Sequence, residues 1–174
     1  MATNPGAGEL DPGFSAPDAK PTPWTEVRDQ LENAKTYWLA TVRADGRPHV
    51  TTIAGAWVDE TIHFVTGRNE QKAKNLAAGN HRVAVITGAS GWEGLDIVIE
   101  GEAVELTDVD RLQRVVDTFT EKYDDTFQFR VRDGAVHVGD SPGRALAFEV
   151  VARKVFAFAK GDKFGQTRWR FDRH

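Results

Sequence analysis

The 174-residue sequence contains no cysteine, and lysine and arginine (22) do not outnumber acidic residues (26). The absence of cysteine excludes disulfides, thiolate metal ligands and a cysteine nucleophile. A net charge of −4, without a basic cluster, gives no reason to expect nucleic acid as a partner. No apolar run approaches the roughly 18 residues of a membrane-spanning helix, and the N-terminus lacks the pattern of a signal peptide. These absences predict a cytoplasmic protein without nucleic-acid or membrane partners.

Hydrophobic and aromatic residues are present in good supply. Hydrophobic residues make up 40% of the chain, and ten phenylalanines and five tryptophans are among them. The length suits one domain with a sizeable core. So many aromatic residues suit a fold that holds a flat ring or a dimer partner.

The composition changes along the chain and divides it into three parts. Residues 1–21 are rich in Pro, Gly, Ala and Asp, which predicts a disordered or draped N-terminal arm. Residues 22–159 carry the periodic patterns of strands and helices and form the predicted domain. Residues 160–174 are predicted to be a basic, aromatic C-terminal tail.

Strand patterns dominate the central part. A short helix capped by Thr22 is followed by three strands and a helix over Glu70–Ala78 capped by Asn69. Two more strands, a helix capped by Asp108 and two final strands complete the order. The predicted strands are Tyr37–Val42, His49–Val58, Thr61–Thr66, His81–Thr87, Asp96–Leu106, Ala145–Val151 and Lys154–Phe158. Residues 124–142 fit no element. This order predicts a mainly β, α+β fold, an antiparallel barrel with peripheral helices, and not a doubly wound parallel sheet.

A strand–turn–helix stretch is the strongest candidate for a binding site. The strand ends at Thr66, the chain turns through Gly67, and the helix begins near two cations, Arg68 and Lys72. Amides at a helix start and a nearby lysine together suit a phosphate. The alternative is that Lys72 simply lies on a solvated helix face.

Other polar and aromatic residues have equally open interpretations. Thr51 and Thr52, in the second strand, suit either the polar rim of a ring or ordinary strand packing. Trp92, in a glycine-rich loop, suits either stacking on a cofactor or an anchoring role in the core or at an interface. The histidines show no metal-ligand spacing, and no serine has the context of a nucleophile, so no metal site or hydrolase is predicted.

The motifs taken together resemble the pyridoxamine 5′-phosphate oxidase-like superfamily. The resemblance covers roughly Trp38 to Leu106 and continues more weakly through Val151–Phe158. Its pieces, in order, are Leu39-Ala40-Thr41-Val42, Asp45-Gly46-Arg47-Pro48-His49-Val50, Phe64-Val65-Thr66, Lys72-Ala73-x-Asn75-Leu76, and Trp92 followed by Ile99-Glu100-Gly101-Glu102-Ala103.

The resemblance implies a flavin-reductase-like split β-barrel and a homodimer with cofactor sites at the interface. It implies that Lys72 contacts the cofactor phosphate with Thr66 nearby, and that the stretch Thr51–Ala54, which includes Ile53, lies along the ring. The candidate cofactor-binding residues are therefore Lys72, Thr66, Arg68, Gln71, Thr51, Thr52, Ile53, Trp92 and Arg170.

Three departures separate the chain from true pyridoxamine phosphate oxidases. Those enzymes have arginines at the positions of Thr51 and Gln71 and a ring-contacting glutamine at the position of Asp96. Their loss argues against vitamin B6 oxidation. The sequence looks closer to the actinobacterial branch that uses the deazaflavin coenzyme F420, although FMN stays open.

The resemblance implies an oxidoreductase that transfers a hydride between FMN or F420 and a small planar organic substrate. The alternative is a non-catalytic binder, carrier or sensor of a flavin-type cofactor or of haem. A catalytic side chain need not exist, because the cofactor carries such chemistry.

The C-terminal tail has two interpretations. Trp169 docks on the barrel in the first. In the second, the tail closes over the cofactor groove, where Arg170 approaches the phosphate or ring oxygens and Trp169 excludes water.

Overall fold

The computed structural model describes residues 5–171. Three α-helices and eleven strands follow one another, with one short 3-10 helix (Pro12–Phe14) after the first strand. The α-helices are α1 (Trp24–Asn33), α2 (Gln71–Ala77) and α3 (Val109–Tyr123). The strands are β1 (Glu9–Leu10), β2 (Tyr37–Val42), β3 (Pro48–Ile53), β4 (Ala56–Val58), β5 (Thr61–Gly67), β6 (Arg82–Gly88), β7 (Gly94–Glu105), β8 (Phe129–Arg132), β9 (Ala135–Val138), β10 (Arg144–Lys160) and β11 (Gly165–Arg170).

Strand β10 organises the sheet because it pairs with four other strands. The order β1-β11-β10-β7-β6-β2-β3 forms one path. The first half of β10 also pairs with β5 and with β9, and β5 in turn pairs with β4. All pairs are antiparallel, and the helices lie outside the sheet pairing, which confirms the predicted α+β split barrel.

The core has two parts. Side chains from alternate positions of the strands fill the barrel, with Leu39, Phe64, Ile97 and Val155 among the most buried. A second cluster joins α3 to the β8–β9 hairpin and contains the helix stripe that periodicity predicts, namely Leu112, Val115, Val116 and Phe119.

The predicted helix caps are partly correct. Asp108 caps α3 by accepting a bond from Arg111 N–H at 2.9 Å. The N-caps of the other two helices lie one residue later than predicted, at Pro23 and Glu70.

Several predicted strand boundaries are wrong. The single strand over His49–Val58 is two strands, because the chain changes neighbours at Ala54-Gly55 and passes from β2 to β5. Conversely, the two strands predicted within 145–158 are the single strand β10, whose register shifts between Ala152 and Lys154.

Residues 124–142, which fitted no element, contain the β8–β9 hairpin. Its turn is Asp133-Gly134, where both residues have positive φ (49° and 69°). This Asp-Gly pair is a typical hairpin signal.

The described part of the N-terminal arm is draped and not disordered. Strand β1 pairs with β11, and the Ser15 hydroxyl accepts from the Gln166 amide at 3.1 Å. Gly8 lies so close to Trp169 that a Cβ would come within 2.7 Å of the ring. Residues 1–4 of the arm lie outside the described part.

The C-terminal segment is likewise part of the sheet rather than a separate tail. Strand β11 pairs with β10 over six residues, and Trp169 is 2% exposed. The docked interpretation therefore holds for Trp169; residues 172–174 lie outside the described part. Within residues 5–171, no helix is long and apolar enough to span a membrane.

Candidate functional site

A cavity of about 300 Å³ opens where β3 and β5 end. The start of α2 borders it on one side, and α3 and the β8–β9 hairpin border it on the other. Its lining residues are Thr52, Ile53, Ala54, Val65, Thr66, Gly67, Glu70, Lys72, Phe119, Phe127, Phe129, Val138 and Ala145.

The charged part of the cavity is a short stretch of chain between β5 and α2. Lys72 is 7% exposed, and its Nζ donates to the carboxylate of Glu70. The other carboxylate oxygen accepts a bond from the Gly67 amide at 2.7 Å. Burial works to raise the pKa of Glu70, but the bonds from Lys72 and Gly67 outweigh it and hold that pKa below its ordinary value. Glu70 and Lys72 thus form a charged pair at neutral pH.

The apolar part of the cavity is a wall of three phenylalanines. Phe127 and Phe129 are stacked, with ring centroids 5.5 Å apart and planes 13° from parallel. Phe119 meets both rings edge-on, at 6.0 and 5.2 Å. Flat apolar surfaces of this kind suit a planar aromatic ligand.

A polar network fixes α2 against the barrel. Asn75 Nδ2 donates to the buried Thr41 hydroxyl at 2.7 Å, and Gln71 Nε2 donates to Asn75 Oδ1 at 2.7 Å. Thr41 Oγ1 also lies 3.2 Å from His49 Nδ1. Because these bonds anchor the helix, Lys72 has a defined position beside the cavity.

The structure brings together four of the nine residues that the sequence singles out. Thr52, Ile53, Thr66 and Lys72 all line the cavity. These residues come from two strands and one helix, so their meeting is a property of the fold.

The other five residues lie outside the cavity. Thr51 bonds its neighbour's carbonyl, and the Gln71 amide is engaged by Asn75. The remaining three side chains, Arg68, Trp92 (90% exposed) and Arg170, are exposed. Within one chain, Arg170 at the end of β11 pairs with Lys154 of β10, away from the cavity, so the lid interpretation of the tail is not what the fold shows.

Sequence reasoning missed Glu70 and the phenylalanine wall. Glu70 stands two positions before Lys72, but the sequence pattern predicts Asn69 as the helix cap, whereas the cap is Glu70. Phe127 and Phe129 belong to the stretch that fitted no element. Their spacing of two, beside the Asp133-Gly134 turn, is a signal that could have placed Phe129 on one face of a strand.

Titratable groups other than Glu70 and Lys72 do not line the cavity in residues 5–171. His63, on β5, is buried, and its burial lowers its pKa to about 4. Its Nδ1 lies 3.2 Å from the Thr61 carbonyl and donates to it. In the same described residues, no group of three or more His, Asp or Glu is placed to hold a metal ion. The arrangement can therefore bind an anion and a flat ring, but it presents no separate acid–base pair.

Comparison with solved structures identifies the same fold in several bacterial proteins. A conserved hypothetical protein of Mycobacterium tuberculosis superposes with a TM-score of 0.65 at 22% identity, over 83% of this chain and 88% of that one. HutZ, the haem storage protein of Vibrio cholerae, gives 0.61 at 19% identity over 79% and 94%. An FAD-binding protein of Mesorhizobium loti gives 0.57 at 18% identity over 87% and 96%.

The search of curated proteins finds no match for this sequence. The family model for pyridoxamine 5′-phosphate oxidase, however, matches residues 23–157, which include the whole barrel except the N-terminal arm, the end of β10 and β11. The chain therefore belongs to the pyridoxamine 5′-phosphate oxidase family.

Proposed function

We propose that the cavity binds a flavin-type nucleotide, FMN or coenzyme F420, and that the protein is an oxidoreductase acting on a small planar organic substrate. The observation that carries the proposal is that one cavity joins a phenylalanine wall to a buried ammonium group. The wall fits the ring, and Lys72 fits the phosphate.

When bound, such a cofactor supplies hydride transfer. The chain's own residues would bind and orient it. Phe127 and Phe129 offer a flat surface that excludes water, Lys72 donates to a phosphate oxygen, and Thr52 and Thr66 offer hydroxyls beside them. The pocket's lack of a separate acid–base pair is compatible with a reaction in which the cofactor carries the chemistry.

Among the possible cofactors, we favour F420 over FMN. Two positions where true pyridoxamine phosphate oxidases carry arginines hold Thr51 and Gln71 here. Asp96, at the position of their ring-contacting glutamine, is ion-paired with Lys160 at 2.9 Å. With fewer cations the site is less suited to the doubly charged phosphate of FMN, and vitamin B6 oxidation is not proposed.

Haem is the second candidate ligand, because a structural neighbour is a haem storage protein. A haem iron commonly takes an axial histidine. The described residues that line the cavity include none, so a flavin-type ring is the better fit.

The decisive measurement is the identity of the bound ligand. Mass spectrometry of whatever denaturation releases from the purified protein, followed by titration with FMN, F420 and haem, would identify it. A panel of quinone-like acceptors then separates an enzyme from a carrier or sensor. Binding without turnover would favour the carrier, and binding of haem alone would overturn the flavin proposal.

We also propose that the protein is a homodimer. The outer face of the sheet carries an apolar row in direct register across four strands, Trp38, Ile86, Val98 and Phe156. All four are partly or well exposed, with Trp38 at 42%. A two-fold partner would remove this surface from water. Sedimentation at micromolar concentration should give about twice 19.3 kDa, and a monomer would contradict the proposal.

Replacing Lys72 with methionine should weaken binding of FMN or F420 by about 1–3 kcal/mol, the range for a charge-assisted hydrogen bond. Methionine keeps the apolar stem, so the fold should be retained. Lys74→Met is the matched control, because Lys74 is exposed on the same helix. Isothermal titration calorimetry measures the cofactor affinity of both variants. Equal affinities of the two variants would place Lys72 outside the ligand site.

A further inference from the structure

The cavity contains a negative charge of its own. Glu70 accepts from the Gly67 amide at 2.7 Å and is ion-paired with Lys72 through its other oxygen. The Lys72 side chain is 9% exposed, whereas that of Glu70 is 51% exposed. The buried ammonium and the strand-end amide, which a ligand phosphate would use, are therefore both bonded to a half-exposed carboxylate.

We propose that Glu70 is a specificity-determining residue, which selects a ligand phosphate with one negative charge, a phosphodiester, and disfavours the doubly charged phosphate monoester. This inference rests on the proposed function, because it concerns the same cavity. It narrows the ligand from any flavin-type nucleotide to one whose phosphate is esterified twice.

The charges at the site support a preference for a phosphodiester over a phosphate monoester. Glu70 and Lys72 together carry no net charge, so an incoming phosphate meets a neutral pair and not a free cation. An ammonium group has three donors and can hold Glu70 and one phosphate oxygen together. A second negative charge on the phosphate would repel Glu70 at a distance of a few ångströms. Arg68 and Lys74, the nearest further cations in the sequence, are both exposed, and solvent screens them.

Three flavins that differ only at the phosphate test how its charge affects binding. Riboflavin, the methyl ester of FMN and FMN have the same ring and side chain but carry zero, one and two negative phosphate charges near pH 8. Each is titrated by flavin fluorescence against wild type, Glu70→Gln and the control Glu60→Gln. Glu60 directly precedes β5, whereas Glu70 follows it, and Glu60 is paired with Arg28 at 3.8 Å.

Wild type should bind the methyl ester about tenfold more tightly than FMN, as expected for one added repulsion in a partly screened site. Glu70→Gln should bring FMN to within about twofold of the ester, because glutamine keeps the acceptor for Gly67 but removes the charge. Riboflavin affinity should stay unchanged in all three proteins, and Glu60→Gln should match wild type. The same FMN-to-ester ratio in wild type and Glu70→Gln would overturn the proposal, and Glu70→Ala repeats the comparison if the glutamine variant folds poorly.

Failure of flavin binding is distinguishable from failure of the Glu70 proposal. If none of the three flavins binds any variant, F420 is titrated into the same proteins. Absence of F420 binding as well would mean that the proposed function is wrong, and inorganic anions then test Glu70 alone. At pH 8, inorganic phosphate should raise the melting temperature of Glu70→Gln more than that of wild type or Glu60→Gln. Dimethyl phosphate, which carries one negative charge, should give a smaller difference in melting temperature between these proteins. Equal stabilisation of all three proteins by inorganic phosphate would overturn the assignment of Glu70.

Discussion

Replacing Trp169 with alanine should lower the free energy of unfolding by about 3–5 kcal/mol, the usual cost of truncating a large buried aromatic side chain. Trp169 is 2% exposed, and its ring meets Trp24 edge-on at 5.3 Å. On the arm, Gly8 lies against the same ring. The substitution would therefore leave a cavity where β11, α1 and the N-terminal arm meet.

The control for Trp169 is its neighbour Arg170, which is exposed at the end of the same strand. Arg170→Ala should change the free energy of unfolding by no more than about 0.5 kcal/mol, as surface substitutions usually do. Urea unfolding of the ligand-free protein measures both variants. Equal, small effects would mean that β11 contributes little to the fold, and the tail would again be a candidate lid.

The fold was predictable wherever neighbouring residues decide the structure. The stripe Leu112, Val115, Val116 and Phe119 has helical spacing, and Asp108 is a local cap, so α3 was predicted with its buried face. The N-terminal arm was not predictable, because its order depends on distant partners. The Ser15 hydroxyl accepts from the Gln166 amide, which is 151 positions away in the sequence. Short polar segments carry no periodic signal for such pairing.

The same distinction applies to the candidate site. Thr66 and Lys72 belong to one strand–turn–helix stretch, so sequence spacing alone brought them into one hypothesis. The phenylalanine wall joins α3 to the β8 region, and only the packed fold places Phe119 beside Phe127 and Phe129. Trp92 differs from these residues, because its side chain is 90% exposed and a single chain supplies no partner for it, so its role stays a prediction.

Gly101 shows how the barrel is closed. In the sequence it is the central residue of the stretch Ile99–Ala103, one piece of the family resemblance. In the fold it pairs with Ala152 of β10, beside the register shift between Ala152 and Lys154. Before this shift β10 pairs with β5, and after it β10 pairs with β11. A bulge of this kind bends a strand so that it can change neighbours.

There is no room for a side chain at Gly101, because backbone atoms of β10 occupy the space that a Cβ atom would need. An added Cβ would lie 2.3 Å from the Val151 carbonyl oxygen and 3.1 Å from Ala152 Cα. Flexible side chains can move away from an added methyl group, but these atoms are fixed by the sheet. Gly101→Ala should therefore push β10 away from β7, and through its pairing with β10 it should also displace β5, whose end lines the cavity.

We expect Gly101→Ala to lower the free energy of unfolding by about 3 kcal/mol, the upper part of the range for overpacking a core. Gly143→Ala is the matched control, because its Cβ would meet nothing closer than the Ser141 hydroxyl at 3.5 Å. That control should change stability by no more than about 0.5 kcal/mol. Urea unfolding measures the free energy of unfolding of both variants. Titration with FMN or F420 without denaturant, at a temperature well below the melting transition, measures their ligand affinity. If Gly101→Ala were as stable as Gly143→Ala, β7 and β10 would have to separate at little cost, and the bulge could not be the rigid point that holds β5 in place beside the ligand.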